Sequence, residues 1–127
     1  MPITSTPDHK TRIVNTICSG NITLHDIEHY QYTVWLEPSI YGYNELFDLT
    51  ASDFSQVSFS DLITVAQNAS KLYMLDPNSR FAFLTATPHH QELAKFYITA
   101  RSMTDSPSRD LKQFTSHDEA LAWLLET

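Results

Sequence analysis

Residues 58–75 carry Leu62, Val65, Ala66, Ala69, Leu72 and Tyr73 at the i, i+3, i+4, i+7 spacing that lays one apolar stripe along a helix. A run of strand character stands on each side of it. Upstream is Glu45-Leu46-Phe47-Asp48-Leu49-Thr50; downstream, past the breaker Asp76-Pro77-Asn78-Ser79, is Arg80-Phe81-Ala82-Phe83-Leu84-Thr85-Ala86, apolar on nearly every residue. A strand without polar alternation is covered on both faces, and a strand, a helix and a second strand in succession close as a right-handed crossover between parallel neighbours. This unit limits the chain to an open α/β sheet. Ligands and modifications collect in such sheets where strands run into helices, which here is the serine-rich segment Ala51 to Asp61.

The same grammar extends in both directions. Arg12-Ile13-Val14-Asn15-Thr16-Ile17-Cys18 is a β-branched run bounded by Ser19-Gly20-Asn21, a strand ending in a turn. Thr23 with Asp26 three residues on predicts a helix N-cap, the helix running to about Leu36 before Pro38 stops it. Leu24, Ile27, Val34 and Trp35 share one face of it, with Gln31 as a polar interruption. Pro38 to Asn44 is a turn carrying Tyr41-Gly42-Tyr43. Thr87-Pro88 sets a cap and a first-turn proline for a helix to about Met103, striped by Leu93, Phe96, Tyr97, Ala100 and Met103. After the polar loop from Thr104 to Arg109, Leu111 to Phe114 reads as a short edge strand. Ser116 and Glu119 predict a capping box for a last helix that buries Ala120, Leu121, Trp123 and Leu124. Residues 1–10, with Pro2, Pro7 and no periodicity, read as a flexible N-terminal tail, leaving 11–127 as a single domain. Alternating strands and helices in this order predict a four- to five-stranded, mostly parallel mixed sheet with four helices.

Composition removes several function classes. At 127 residues, 42% hydrophobic and 12% aromatic, the chain can fill one core. Its 8 basic against 15 acidic residues give a net charge of −7, which repels phosphate backbones and anionic bilayer surfaces, so no nucleic-acid partner is expected. The only glycines, Gly20 and Gly42, exclude Gly-rich phosphate loops, and no cofactor is expected. No apolar run approaches the roughly 18 residues of a membrane span, and no basic segment precedes an apolar leader. The single Cys18 allows no intrachain disulfide, and a soluble protein of the reducing cytoplasm is expected.

Three phrases carry a family resemblance. Gly20-Asn21-Ile22-Thr23-Leu24-His25-Asp26 opens the first helix, Leu46-Phe47-Asp48-Leu49 lies in the central strand, and residues 114–124, from Phe114-Thr115-Ser116-His117 to Ala122-Trp123-Leu124, close the chain. With the order of elements they resemble the SpoIIAA-like family of small bacterial domains, relatives in fold of the STAS anti-sigma-factor antagonists, over residues 11–125. The resemblance implies helices packed on a small sheet and little settled chemistry. STAS antagonists are switched by phosphorylation of a serine in an Asp-Ser-Ser-Gly-like turn after the central strand. The corresponding place here is Val57-Ser58-Phe59-Ser60-Asp61-Leu62, with Ser58 and Ser60 the nearest matches; the glycine is absent and the acidic residue follows the serine. The same serines also suit a plain helix cap. Lipid-carrying domains of related fold add the expectation of a hydrophobic ligand.

The aromatic residues give that ligand a candidate site. Tyr41 and Tyr43 precede the central strand, while Phe96, Tyr97 and Met103 stripe a helix that has to cover it, so the five could line an apolar cavity with hydroxyls for orientation. His25 and His29, four apart with Asp26 between, are similar to a His-Glu-x-x-His zinc helix, but Asp is about one methylene short of Glu's reach and no third ligand stands out, so no metal is expected. His89 and His90 could move protons, yet Cys18 in a strand and the serines in caps leave no nucleophile beside them. The reading is a non-enzymatic module for a small hydrophobic ligand. The alternative is a regulatory protein-contact domain working through Ser58 and Ser60. An unpaired edge strand at Phe114 would also permit a homodimer.

Overall fold

The described elements run β1 Ile3–Asp8, β2 Ile13–Asn21, α1 Leu24–Thr33, β3 Asn44–Asp53, α2 Phe59–Lys71, β4 Arg80–Leu84, α3 Pro88–Ser102, β5 Asp110–Phe114 and α4 His117–Leu125, with a 3-10 turn at Pro38–Ile40. The computed structural model describes residues 2–72, 76–104 and 106–126. The strands form one sheet in the order β1-β2-β3-β4-β5. β2 to β5 are parallel neighbours, and β1 pairs antiparallel with β2.

This topology decides where the core lies. Each crossover moves one strand in the same direction, so right-handed connections place α1, α2 and α3 together on one face. There Ile27, Leu62, Val65, Leu93 and Tyr97 pack on Phe47, Phe81 and Phe83. The parallel register sets Phe47 beside Phe83, and the ring centroids of the three phenylalanines lie 4.8–6.0 Å apart. α4 alone covers the other face, closing Ala120 and Leu124 on Ile13, Leu46, Ala82 and Leu84. β4 is thus buried on both sides and has no polar alternation, whereas β2 alternates because α4 stops short of its far end, leaving Ile17 51% exposed.

Four expectations change. The N-terminal segment is not a tail: Ile3 to Asp8 is an edge strand, with Ile3 buried against the α1–α3 side and the Pro2 carbonyl accepting from Ser19 N at 2.8 Å. Pro7, which forbids a central strand, is tolerated at an edge. α1 ends at Thr33, and Trp35, beyond the helix, turns inward and is buried. Gln31 is fully buried, donating to the Val65 carbonyl at 2.9 Å and accepting from Asn68 at 3.2 Å, so the supposed polar interruption is a joint between α1 and α2. Only the Ser116 half of the last capping box forms. Of the α2 stripe, Leu62, Val65, Ala66, Ala69 and Leu72 are buried as expected; Tyr73 lies outside the described residues.

Candidate functional site

Glu45 opens the inward row Glu45, Phe47, Leu49 of β3, and the pleat therefore drives a carboxylate into the core, 1% exposed. Such a charge survives only if every lone pair finds a donor and an opposite charge stands beside it. Both conditions are met. Oε2 accepts from the Thr16 hydroxyl at 2.7 Å and from the Tyr30 hydroxyl, while Oε1 accepts from Trp35 Nε1 and from the Arg109 guanidinium, each at 3.2 Å. Arg109, in the loop before β5, also donates to Ser79 Oγ at 2.9 Å and the Tyr43 carbonyl at 3.0 Å, and its guanidinium lies over the Phe81 ring at 5.2 Å. One ion pair so ties β2, α1, β3, β4 and the start of β5 together at the amino ends of β3 and β4.

Above this network the three helices and the sheet line a chamber of about 50 Å³. Ile27, Phe47, Phe54, Leu62, Phe83 and Leu93 supply much of its wall. The Tyr30 and Gln31 polar atoms at its edge are already engaged with Glu45 and with Val65 and Asn68. Trp35, Phe81 and Tyr97 line the chamber and also a second, smaller pocket of about 10 Å³, whose wall includes Arg101, Ser108 and Arg109.

This second pocket has a distinct electrostatic character. Arg101, 5% exposed at the end of α3, donates to the Thr104 hydroxyl and to the carbonyls of Ser106 at 3.3 Å and Pro107 at 2.8 Å. None of the ion pairs among the described residues includes it. Burial lowers its pKa from the usual arginine value. Tyr97, 7% exposed, makes no hydrogen bond through its hydroxyl among the described residues, and burial raises its pKa to about 12.

Of the five aromatic and Met positions expected to share one ligand site, Tyr97 alone reaches the chamber. Tyr43 is buried beneath the β1–β2 hairpin, its hydroxyl 2.7 Å from His9 Nδ1 and its ring under Arg12 at 4.7 Å. Tyr41 is 51% exposed on the rim of a small cleft against the Pro38–Ile40 turn. Phe96 stacks on Phe59 at 4.6 Å in an outer groove between α2 and α3, where Met103 is 80% exposed. The Leu93, Ala94, Tyr97 edge of α3 is the one that faces the sheet, so a stripe drawn through Phe96 and Met103 points too far outward.

Ser58 is the α2 N-cap, accepting from Asp61 N at 3.0 Å while Asp61 accepts from Ser58 N at 3.0 Å; Ser60 stands exposed in the first turn. His25 and His29 are exposed along α1, and among the described residues no group of three His, Cys, Asp or Glu side chains is placed to hold a metal. His90 is buried: its Nε2 lies 3.0 Å from the Ser52 carbonyl and its ring packs on Phe54.

No family model and no curated protein matches this chain. A solved structure does: an uncharacterised protein of the DUF3478 family with a SpoIIAA-like fold, from Shewanella loihica PV-4, superposes with a TM-score of 0.57 at 20% identity, covering 96% of this chain and 91% of that one. At this identity the likeness carries the architecture. The chain has a SpoIIAA-like α/β fold, as its phrases and element order had implied.

Proposed function

We propose that this protein is a non-enzymatic cytoplasmic module that binds a small hydrophobic ligand between its helices and its sheet. The observation that carries this reading is the apolar chamber itself, since folded interiors are packed to crystal density and leave few voids larger than a water molecule. Its walls supply ring faces and methyl groups, and the nearby hydroxyl of Tyr30 and amide of Gln31 are committed to structural bonds. Size narrows the ligand class: about 50 Å³ is near a third of the roughly 150 Å³ that admits a benzene ring in an engineered cavity, so the chamber suits a short aliphatic group. The buried, free Cys18 fits a reducing compartment, and no helix is long and apolar enough among the described residues to cross a membrane.

Xenon is the probe matched to an apolar void of this size. Under xenon pressure the methyl resonances of Ile27, Leu49, Leu62 and Leu93 should shift saturably while those of Ile13 and Leu84 on the opposite face stay still. Methyls that do not respond would remove the chamber as a binding site.

A second reading, a regulatory protein-contact face controlled by phosphorylation at the start of α2, is favoured by the exposure of Phe59 at 43% and Ile63 at 45% on either side of Ser60 in the first turns of that helix. Ser60→Glu should then change the set of proteins that the chain retains from its native host. An identical set from both forms would dismiss it.

A further inference from the structure

We propose that the open edge of β1, with the groove between it and α1, takes an extended segment of a basic partner protein as an added strand of the sheet. The pairing pattern locates the free groups. Ser19 N donates to the Pro2 carbonyl at 2.8 Å, and the β1–β2 register runs without a break from Ile3 opposite Cys18 to Asp8 opposite Ile13. Backbone bonding alternates along an antiparallel pair, so Pro2, Thr4 and Thr6 turn their main chain to β2 while Ile3, Ser5 and Pro7 turn theirs outward. Pro7 agrees with this, since a proline within a sheet needs its nitrogen on the open side. Among the described residues, nothing bonds the N–H or the C=O of Ile3 or Ser5.

A groove of about 420 Å³ lies beside this edge, within the roughly 300–1,000 Å³ common to ligand sites. Residues 2–5 form one wall; His25, Asp26 and His29 of α1, with Val34 just beyond it, stand on the other. Successive side chains of a strand point to opposite faces, so four residues in a row line one groove only where the edge of the strand is itself the wall. α1 leaves that edge open because it crosses from β2 to β3 and lies inboard of β1. About 10 Å of strand faces about 14 Å of helix, room for three or four extended residues. In strand addition of this kind main-chain bonds supply the hold and alternate side chains the selection.

Charge chooses the occupant. The groove has no Lys or Arg in its wall, its one carboxylate is Asp26, and the chain carries 15 acidic against 8 basic residues. A second copy would bring the same net charge of −7 to the seam, and an acidic segment would be repelled in the same way. A segment with Lys or Arg at its ends and Val or Thr toward Ile3 and Val34 meets an opposite field and an apolar floor.

The test is an NMR titration of the full chain with the peptide acetyl-Lys-Val-Thr-Val-Thr-Lys-amide. The amides of Ile3 and Ser5 and the ring signals of His25 and His29 should shift saturably, while the amide of Lys112 on the opposite edge strand stays still. The same peptide with Glu in place of both Lys should bind at least tenfold more weakly at low salt, and the gap should narrow at high salt. Methylating the peptide's backbone nitrogens, which leaves every side chain in place, should abolish binding. Ser5→Pro, which subtracts one outward N–H, should weaken it; should that variant not fold, the methylated peptide decides alone. Absence of a saturable shift at β1, a shift at Lys112 instead, equal binding of the Lys and Glu peptides, or undiminished binding of the methylated one each overturns the proposal. Shifts of the same amides that follow protein concentration with no peptide present give the edge to a second copy and overturn it equally.

Discussion

Arg109→Met is expected to cost about 3–5 kcal/mol, the usual penalty for removing one partner of a buried ion pair and leaving the other charge without compensation. Glu45 is the stranded group: at 1% exposure it has no route to solvent, and its remaining donors, Thr16, Tyr30 and Trp35, are neutral. The Ser79 hydroxyl and the Tyr43 carbonyl lose a donor in the same step. Against a total stability of about 5–15 kcal/mol for a domain of this kind, the variant would lose a third or more of its margin. Urea unfolding should show a lower midpoint at unchanged slope. The exposed pair Arg80–Glu126, at 3.7 Å with Glu126 60% exposed, is the internal control, and breaking it through Glu126→Gln should cost less than about 1 kcal/mol. Glu45→Gln strands Arg109 in turn, and the double variant should cost clearly less than the two single losses combined, because the residues act as one unit. A loss below about 1 kcal/mol for Arg109→Met would mean that water reaches the pair and that the network does not hold the strands together.

That pair also marks the limit of what the sequence could disclose. The β3–α2–β4 unit is legible because its signals are local: an apolar period along α2, a cap at Ser58 answered by Asp61, and a breaker at Asp76-Pro77. Thr23 with Asp26 and Thr87-Pro88 act in the same way, each fixing a helix start within four residues. What escapes is whatever depends on a distant partner. β1 holds one buried apolar residue, Ile3, and becomes a strand only because β2 offers its edge opposite it. Gln31 is polar in sequence and buried in space because its partners, the Val65 carbonyl and Asn68, lie on the next helix. Glu45 and Arg109 are 64 residues apart, and Glu45 at the start of a strand looks like a solvent-facing end until the pleat places it in line with Phe47 and Leu49. A charged residue in phase with two core positions is the one signal that could have announced it. The chamber escapes for a related reason: its wall is drawn from α1, α2, β3, β4 and α3, while a helical stripe points only to its own face.

Above about pH 10 the domain should lose stability steeply, because three buried groups favour their neutral forms. Burial raises the Tyr30 pKa well above its ordinary value, with the adjacent Glu45 charge adding to the shift; burial raises Tyr97 to about 12; burial, with Asp48 and Glu45 nearby, raises the Cys18 thiol. In the unfolded chain the tyrosines ionise near about 10 and the thiol near about 8.5. A folded pKa above the unfolded one means that the contribution is complete below the unfolded value and is lost as pH climbs toward the folded value, at about 1.4 kcal/mol per pH unit for each group. By about pH 11 the combined loss is on the order of 5 kcal/mol, comparable with Arg109→Met, so cooperative unfolding should set in between about pH 10 and 12. Of the six tyrosines, two should ionise only together with that transition, seen as a step in phenolate absorbance coincident with loss of helical circular dichroism. Cys18→Ala should make the early part of the decline shallower, since the thiol is the first of the three to titrate in the unfolded chain. Six phenols titrating smoothly near about pH 10 with the helices intact would show that solvent reaches Tyr30 and Tyr97 without unfolding. The Glu45 network and the chamber would then be open to water, and the tight core on which both rest would be refuted along with the pH dependence.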